Sequence, residues 1–332
     1  MRINVISDGA WATALARLLA GNGHQVTLWS PFPEYAQVLR DRRENVKFLP
    51  GFPLPKSIRI ASTDTGPLPE ADLLVSTHPA QYLRATLEKV STQLTGFDAV
   101  VSGTKGIENG TLMRPTQIIA EILGPKRIAV ISGPSHAEEV ARELPTTVVA
   151  ASGELALTET VQAAFTSSRF RVYTASDALG VELAGALKNV IAIAAGICEG
   201  LAFGDNTKAA LITRGMVEIA RLGRAMGAQP STFAGLAGIG DLITTCFSPY
   251  GRNRAVGLAI GKGKKLPQIL SDMGMVVAEG VATTKSVIEL GHRHHVEMPI
   301  AEQINAILFE GTDPKDAVTN LMTRQPRPEA DN

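Results

Sequence analysis

Seven short apolar runs fill the first half of this chain and then stop. They cover residues 2–6, 25–29, 72–76, 98–102, 127–132, 146–151 and 170–174. Helical patterns lie between them at 10–21, 81–94 and 135–143. Runs that alternate with helices in this way fold as a mainly parallel sheet with helices on both faces. Beyond about residue 177 only helical patterns remain, over 180–199, 207–226, 252–261, 265–273, 283–292, 299–309 and 314–321. In the second of these, Ile212, Met216, Ile219, Gly223 and Met226 form one apolar stripe, and Arg214 stands one turn before Glu218 in pairing position. The expectation is an α/β doubly wound (Rossmann-type) domain over residues 1–178, followed by an all-α domain over 179–332. A chain of 332 residues, 45% of them hydrophobic, is long enough to bury both cores. The polar tail after Thr323 is expected to fray.

The first run leads directly into a turn and a small-residue helix, VISDGAWATALA over 5–16. A dinucleotide-binding turn needs three small residues here. The first makes the tight turn, the second admits the pyrophosphate, and the third lets the helix pack on the strand. Ser7, Gly9 and Ala12 occupy those places. Gly9 and Ala12 suit them; Ser7 is harmless if its φ is negative and strained if it is positive. A carboxylate facing a pyrophosphate would repel it, so Asp8 is expected to point to solvent. The second run ends in Trp29-Ser30-Pro31-Phe32, with neither an acid for an adenosine ribose nor an arginine for a 2′-phosphate. Arg40, Arg42 and Arg43 follow a helical stretch and either reach that place or form a solvated face. Placement is the stronger signal. Polar clusters at 7–9, 29–30, 78–79, 103–106 and 133–135 each fall just past the carboxyl end of an expected strand. Open parallel sheets bind ligands along that edge.

Several side chains could do chemistry. Lys105, between Thr104 and Gly106, is a solvated loop lysine or a ligand group at the sheet edge. Ser135 and Glu138 make S-x-x-E, a capping box at a helix start whose N–H groups would face a ligand. Lys188 is the most informative. Its helical neighbours Ala184, Gly185, Ile191 and Ala192 make a small apolar face. An ammonium there either snorkels to solvent or is packed away from it, and a desolvated lysine has its pKa lowered toward neutrality, as proton transfer needs. Asn189 is a second polar group in the same run. Asp241 follows glycines and precedes Leu242-Ile243, a setting for a buried acid near Lys188. Arg252, Asn253 and Arg254 offer two guanidiniums and an amide near a helix start, which reads as an anion site or a basic surface turn.

Other chemistries find less support. His292, His294 and His295 lack an i, i+4 pair and neighbouring acids, so no metal is expected. Hydrolase nucleophile patterns are absent in usable context. The 32 basic and 32 acidic side chains cancel, so nucleic acid is not an expected partner. Cys198 and Cys246 are isolated, which suits a reducing compartment. The most membrane-like stretch, 190–203, is too short to span a bilayer and carries Glu199. The N-terminal residues do not read as a secretory leader. The expectation is a cytoplasmic protein with no membrane insertion.

A set of longer stretches carries a resemblance. They are the Trp11 turn with TALA, FLPG (48–51), TKGIE (104–108), ISGPSHAEEVA (131–141), LPT (144–146), ALKNVIAIAAG (186–196), GDNTKAALITRG (204–215), AGIGDL (237–242), RNR (252–254), AEG (278–280) and VEMPI (296–300). In this order, over almost the full length, the chain resembles the bacterial NAD(P)-dependent glycerol-3-phosphate dehydrogenases. The resemblance implies hydride transfer between sn-glycerol 3-phosphate and the nicotinamide C4 of NAD or NADP, giving dihydroxyacetone phosphate or the reverse, in phospholipid precursor supply. It implies that Lys188 is the proton acceptor, with Lys105 and Asp241 orienting the reacting hydroxyl. Gly133, Ser135, Arg252 and Asn253 join those three as substrate contacts. Gly9, Trp11, Ser30, Lys105, Ala137, Arg252, Val277 and Glu279 are implied as cofactor contacts.

The departures from the family pattern cluster on the cofactor side. Ser7, Asp8 and Ala12 replace a usual glycine-alanine-glycine, and Ser30-Pro31 lacks a usual arginine. His78 stands for a small apolar residue and Gly251 for a serine, and an extra residue falls near Val277-Ala278. They leave the choice between NADH and NADPH open. Two other readings remain: a related two-domain reductase of the ketopantoate or 6-phosphogluconate type, and a nucleotide-binding sensor without turnover. GDNTKAALITRG and RNR favour the dehydrogenase over the first, and Lys188 argues against the second. The small-residue helices also allow a homodimer.

Overall fold

The computed structural model describes every residue except 125, 275, 276, 327 and 330–332. Among the described residues the strands are β1 (Arg2–Ile6), β2 (Gln25–Ser30), β3 (Glu44–Asn45), β4 (Leu49–Pro53), β5 (Arg59–Ser62), β6 (Ala71–Ser76), β7 (Phe97–Ser102), β8 (Arg127–Ser132), β9 (Thr146–Ala151) and β10 (Phe170–Ala175). Eight of them form one sheet in the order β10-β9-β8-β7-β6-β1-β2-β5. Every neighbouring pair is parallel except β8 with β9. Alternate residues feed two cores, as the two-residue period of a strand requires. Val5, Leu28, Leu73 and Val101 pack on one face with Leu15 and Leu19, while Ile6, Trp29, Leu74 and Val100 pack on the other with Leu83, Leu87 and Ile118. The register sets Ile6 opposite both Trp29 and Ser76, so the turns after β1, β2 and β6 lie side by side.

The second half is helical, as the loss of strand patterning implies. Its axis is the helix Ala178–Gly200, 23 residues long and buried without interruption from Gly180 to Cys198. By length and composition it could cross a bilayer, and it is longer than the 190–203 stretch picked from hydropathy, but here it is the core of the helical half. Glycines let its neighbours come close. A Cβ on Gly196 would lie 2.1 Å from the Arg254 carbonyl oxygen, and one on Gly257 would lie 2.0 Å from that of Ile193. Gly200 and Gly261 repeat the contact one turn further along. The helix Arg252–Gly261 is therefore seated backbone to backbone on the axis, and its first residues are held at a fixed place.

Some local expectations are corrected. The β3–β4 hairpin and β5 go unread in the sequence, because β4 holds two prolines and a glycine and β5 is four residues long. The helices Pro33–Arg42, Pro115–Leu123 and Leu155–Phe165 complete the first half. The helix expected over 135–143 shrinks to Ala137–Ala141, and no Ser135–Glu138 capping box forms. Gly133, at φ +136°, turns its carbonyl back so that the Ser135 hydroxyl donates to it at 2.8 Å instead. Arg214 does not pair with Glu218. Glu218 is 2% exposed and accepts from the amides of Ile300 and Ala301 at 2.9 and 3.0 Å, capping the helix Pro299–Asn305. A buried carboxyl group at a helix start satisfies two orphan N–H groups that would otherwise be left unpaired.

Candidate active site

The loop after β7 and the axis helix meet over one carboxylate. Asp241 opens the helix Asp241–Phe247 and is 2% exposed. Its Oδ2 accepts from Lys105 Nζ at 2.7 Å, and its Oδ1 accepts from Lys188 Nζ at 2.5 Å. Lys188 also donates to Thr245 Oγ1 at 2.7 Å, and Thr245 donates to the Asp241 carbonyl at 2.6 Å. Lys188 does not snorkel: it is 5% exposed. It sits there because Gly185, one turn earlier, lets the axis helix close on Lys105 and Ser132, where a Cβ would meet Ser132 Oγ at 3.0 Å.

Burial lowers the Lys188 pKa to about 7; the Asp241 carboxylate works against that shift and the Lys105 charge with it. Burial alone would raise Asp241, but the Lys105 and Lys188 ammoniums outweigh it and hold the carboxyl below its ordinary range. Such an arrangement can give up or take a proton near neutrality while an ionised acid holds the amine in place. Lys105 Nζ reaches the Gly133 carbonyl at 3.4 Å, so Gly133 and Ser135 border the same place. His136 borders it too. Burial, then the Lys188 and Lys105 charges, lowers its pKa to about 4, and its Nε2 has no partner among the described residues.

Asn253 is brought in differently from the expectation of an anion contact. Its Nδ2 donates to Asn189 Oδ1 at 2.9 Å, and its Oδ1 accepts from the Gly280 amide at 2.9 Å. Half of its amide's hydrogen-bonding capacity ties two helices to the axis. Arg252 beside it keeps an exposed side chain and acts electrostatically on Glu279. Burial raises the Glu279 pKa to about 7, against the pull of Arg252, Lys105 and Lys188. Glu279 Oε2 lies 3.0 Å from where a Cβ on Gly106 would be, so the glycine of the Lys105 loop lets the carboxyl approach. Val277 is half-buried just ahead of this segment; residues 275 and 276 lie outside the described part.

The first turn resolves the sequence puzzle. Ser7 is not among the residues with positive φ, so it is not strained, and its Oγ accepts from the Gly9 amide at 3.3 Å. Asp8 does not point to solvent. It is 7% exposed and accepts from Ser30 Oγ at 2.5 Å, drawn across to β2 and away from the start of the helix Ala10–Gly21. Gly9 and Ala137 each stand at a helix start, and Trp11 Nε1 lies 3.0 Å from where a Cβ on Gly103, just after β7, would be.

Buried polar atoms without a partner among the described residues run along this edge. They include Trp11 Nε1 after β1, His78 Nε2 after β6, Thr104 Oγ1 after β7, Ser132 Oγ at the end of β8, and Glu279 Oε2 and Thr283 Oγ1 on the facing helix. Each such atom costs about 1–3 kcal/mol if left unpaired. Six such atoms at neighbouring strand ends and on the facing helix fit a long polar ligand that crosses several strand ends, as a dinucleotide does. Sequence reasoning missed Thr245 and His136. Thr245 was within reach, being one turn from Asp241 on the same helix face; His136 carries no spacing signal.

Comparison with known proteins gives the same result over the whole length. The sequence profile of the NAD-dependent glycerol-3-phosphate dehydrogenase N-terminus matches residues 2–158, and that of the C-terminus matches residues 177–319. The chain is 49% identical to an NAD(P)+ glycerol-3-phosphate dehydrogenase of Prosthecochloris aestuarii, over 99% of this chain and 100% of that one. The crystal structure of glycerol-3-phosphate dehydrogenase from Coxiella burnetii superposes with a TM-score of 0.92 at 36% identity, covering 97% of this chain and 99% of that one. A ketopantoate reductase from Ralstonia eutropha, at 14% identity and TM-score 0.59 over 96% of this chain and 100% of that one, shares the fold alone. With both halves matched and near half of its residues identical to such a relative, the chain belongs to the NAD-dependent glycerol-3-phosphate dehydrogenase family.

Proposed function

We propose that this protein interconverts sn-glycerol 3-phosphate and dihydroxyacetone phosphate with NAD(H) or NADP(H), in the cytoplasm, as a source of glycerophospholipid precursor. The observation that carries the reading is the Lys188–Asp241–Thr245 cluster, with a lysine pKa of about 7, beside strand ends rich in unpaired polar atoms. Residues 1–178 serve as the dinucleotide half and 179–332 as the substrate half. When bound, the nicotinamide supplies or accepts the hydride at its C4. Gly9, Trp11, Ser30, Ala137, Val277 and Glu279 border the space it would occupy.

The chain's own residues do the rest. Neutral Lys188 takes the proton from the secondary hydroxyl at its Nζ during oxidation and returns it to the carbonyl oxygen during reduction. Asp241 holds that Nζ in place, and Lys105, on the other carboxylate oxygen, steers the same oxygen of the substrate. Arg252 meets the phosphate, helped by the one amide N–H that Asn253 has left. Gly133 and Ser135 close the side nearest β8.

The test follows NADH and NADPH absorbance separately with dihydroxyacetone phosphate. Substrate-dependent oxidation is expected; none with either nucleotide sinks the reading. Arg252→Gln should raise KM for dihydroxyacetone phosphate by about 10–100-fold with a smaller change in kcat, since a charge-assisted phosphate contact is lost. An unchanged KM would remove Arg252 from the clamp. Thr245→Val should lower kcat by about tenfold, and it should move the Lys188 limb of the pH profile to lower pH. The lost hydrogen bond favoured the charged ammonium, so its loss lowers the pKa further. A shift to higher pH would contradict the assigned geometry.

A further inference from the structure

β1 and β2 are paired in register through Ile6 and Trp29, so the residues after each strand lie side by side. Asp8 uses this proximity. Its Oδ2 accepts from Ser30 Oγ at 2.5 Å, and its main-chain carbonyl accepts from Asn45 Nδ2 at 2.7 Å. Ser30 Oγ in turn accepts from the Phe32 amide at 3.1 Å. A carboxyl group is thus fixed at the carboxyl end of β2, delivered there from β1. Its Oδ1 is not one of the fully buried unpaired atoms.

The end of this strand is where a doubly wound fold reads the adenosine ribose. A carboxylate there accepts from the 2′-hydroxyl and repels a 2′-phosphate; an arginine does the opposite. Of the arginines near it, Arg42 is exposed and the other two make contacts elsewhere, while Arg40 Nη2 and Arg43 Nε keep no hydrogen-bond partner among the described residues. Arg40 turns to Gln37 and Asp64, and Arg43 turns to the carbonyls of Pro55 and Ile58. Burial raises the Asp8 pKa, while the Ser30 hydrogen bond, its own main-chain amide and the Lys47 charge on the hairpin opposite favour the carboxylate. On the reading of the cleft as a dinucleotide site, we infer that Asp8, positioned by Ser30, selects NAD(H) over NADP(H).

The experiment titrates the protein with NADH and with NADPH, without substrate, by nucleotide fluorescence. NADH is expected to bind at least about tenfold more tightly, because a like-charge juxtaposition falls on the 2′-phosphate alone. Asp8→Asn keeps the shape and the acceptor for Ser30 but removes the charge. It should bring the ratio close to one, mainly by tightening NADPH. A second measurement needs no variant: 5′-ADP should displace NADH from the unaltered protein better than 2′,5′-ADP does. NADPH binding as tight as NADH, or a ratio that Asp8→Asn leaves unchanged, overturns the inference. Binding of neither nucleotide overturns the dinucleotide reading as well.

Discussion

Lys188→Met should lower kcat for dihydroxyacetone phosphate reduction by roughly a thousandfold, the middle of the range for a general acid or base, while dinucleotide affinity stays nearly unchanged. The substitution keeps much of the volume on a helix face that is otherwise apolar and close-packed, so the fold is retained. What it removes is the buried amine on Asp241, whose proton can move near neutrality, at about 7. The same value fixes two opposite pH profiles. In kcat/KM for glycerol 3-phosphate oxidation, Lys188 must be neutral, so the rate rises as pH climbs through about 7. In the reductive direction it must carry the proton, so kcat/KM falls over the same range. Both limbs should vanish in Lys188→Met. Steady-state rates from pH 5 to 9 in each direction check this, and a variant that keeps its rate or its limbs would assign proton transfer to another group.

Gly257→Ala is the second large effect, this time on stability. Alanine is ordinarily favoured over glycine in a helix by about 1 kcal/mol. Here a Cβ would stand 2.0 Å from the Ile193 carbonyl oxygen and 2.9 Å from the Ile197 nitrogen, both in the backbone of the buried axis helix. Neither can swing aside as a side chain would, so the two helices must part. The expected loss is about 3 kcal/mol, at the upper end for overpacking, read as a lower urea midpoint at unchanged slope. Parting the helices also pulls Asn253 from Asn189, so KM for the phosphate substrate should rise too. Gly21→Ala is the control, because a Cβ there meets nothing within 4 Å; its midpoint should hold or rise. Equal midpoints for the two variants would refute the close-packing account.

Much of this was legible in the chain because it rests on local patterning. Strand runs and helical stripes carry their own periodicity, and the change near residue 177 is a change of period. Lys188 could be singled out because an ammonium among Ala184, Gly185 and Ala192 breaks the pattern around it. The unread parts depend on partners remote in sequence. Asp8 looked like an obstacle to a pyrophosphate until β1–β2 pairing brought Ser30 beside it, 22 residues away. Glu218 looked like an Arg214 partner until the helix Pro299–Asn305 offered two amides from more than 80 residues away. Ser135 matched a capping box, but the backbone turn at Gly133 decided its partner. The β3–β4 hairpin has too few residues and too many prolines to show a period at all.

The axis helix has one more consequence. One turn before Gly185 and two before Lys188, Glu182 accepts from the Thr116 amide at 2.9 Å, from the Thr116 hydroxyl at 2.7 Å and from the Arg114 guanidinium, all in the sheet-bearing half. Its carboxylate is buried, so breaking that knot would strand a charge away from water. The helix therefore works as a strut bolted at one end to the first half while its length forms the middle of the second. Opening about residue 177 would have to break these contacts. Lys188, on the same helix, is thereby held to the sheet-bearing half through Glu182 as well as within the helical half.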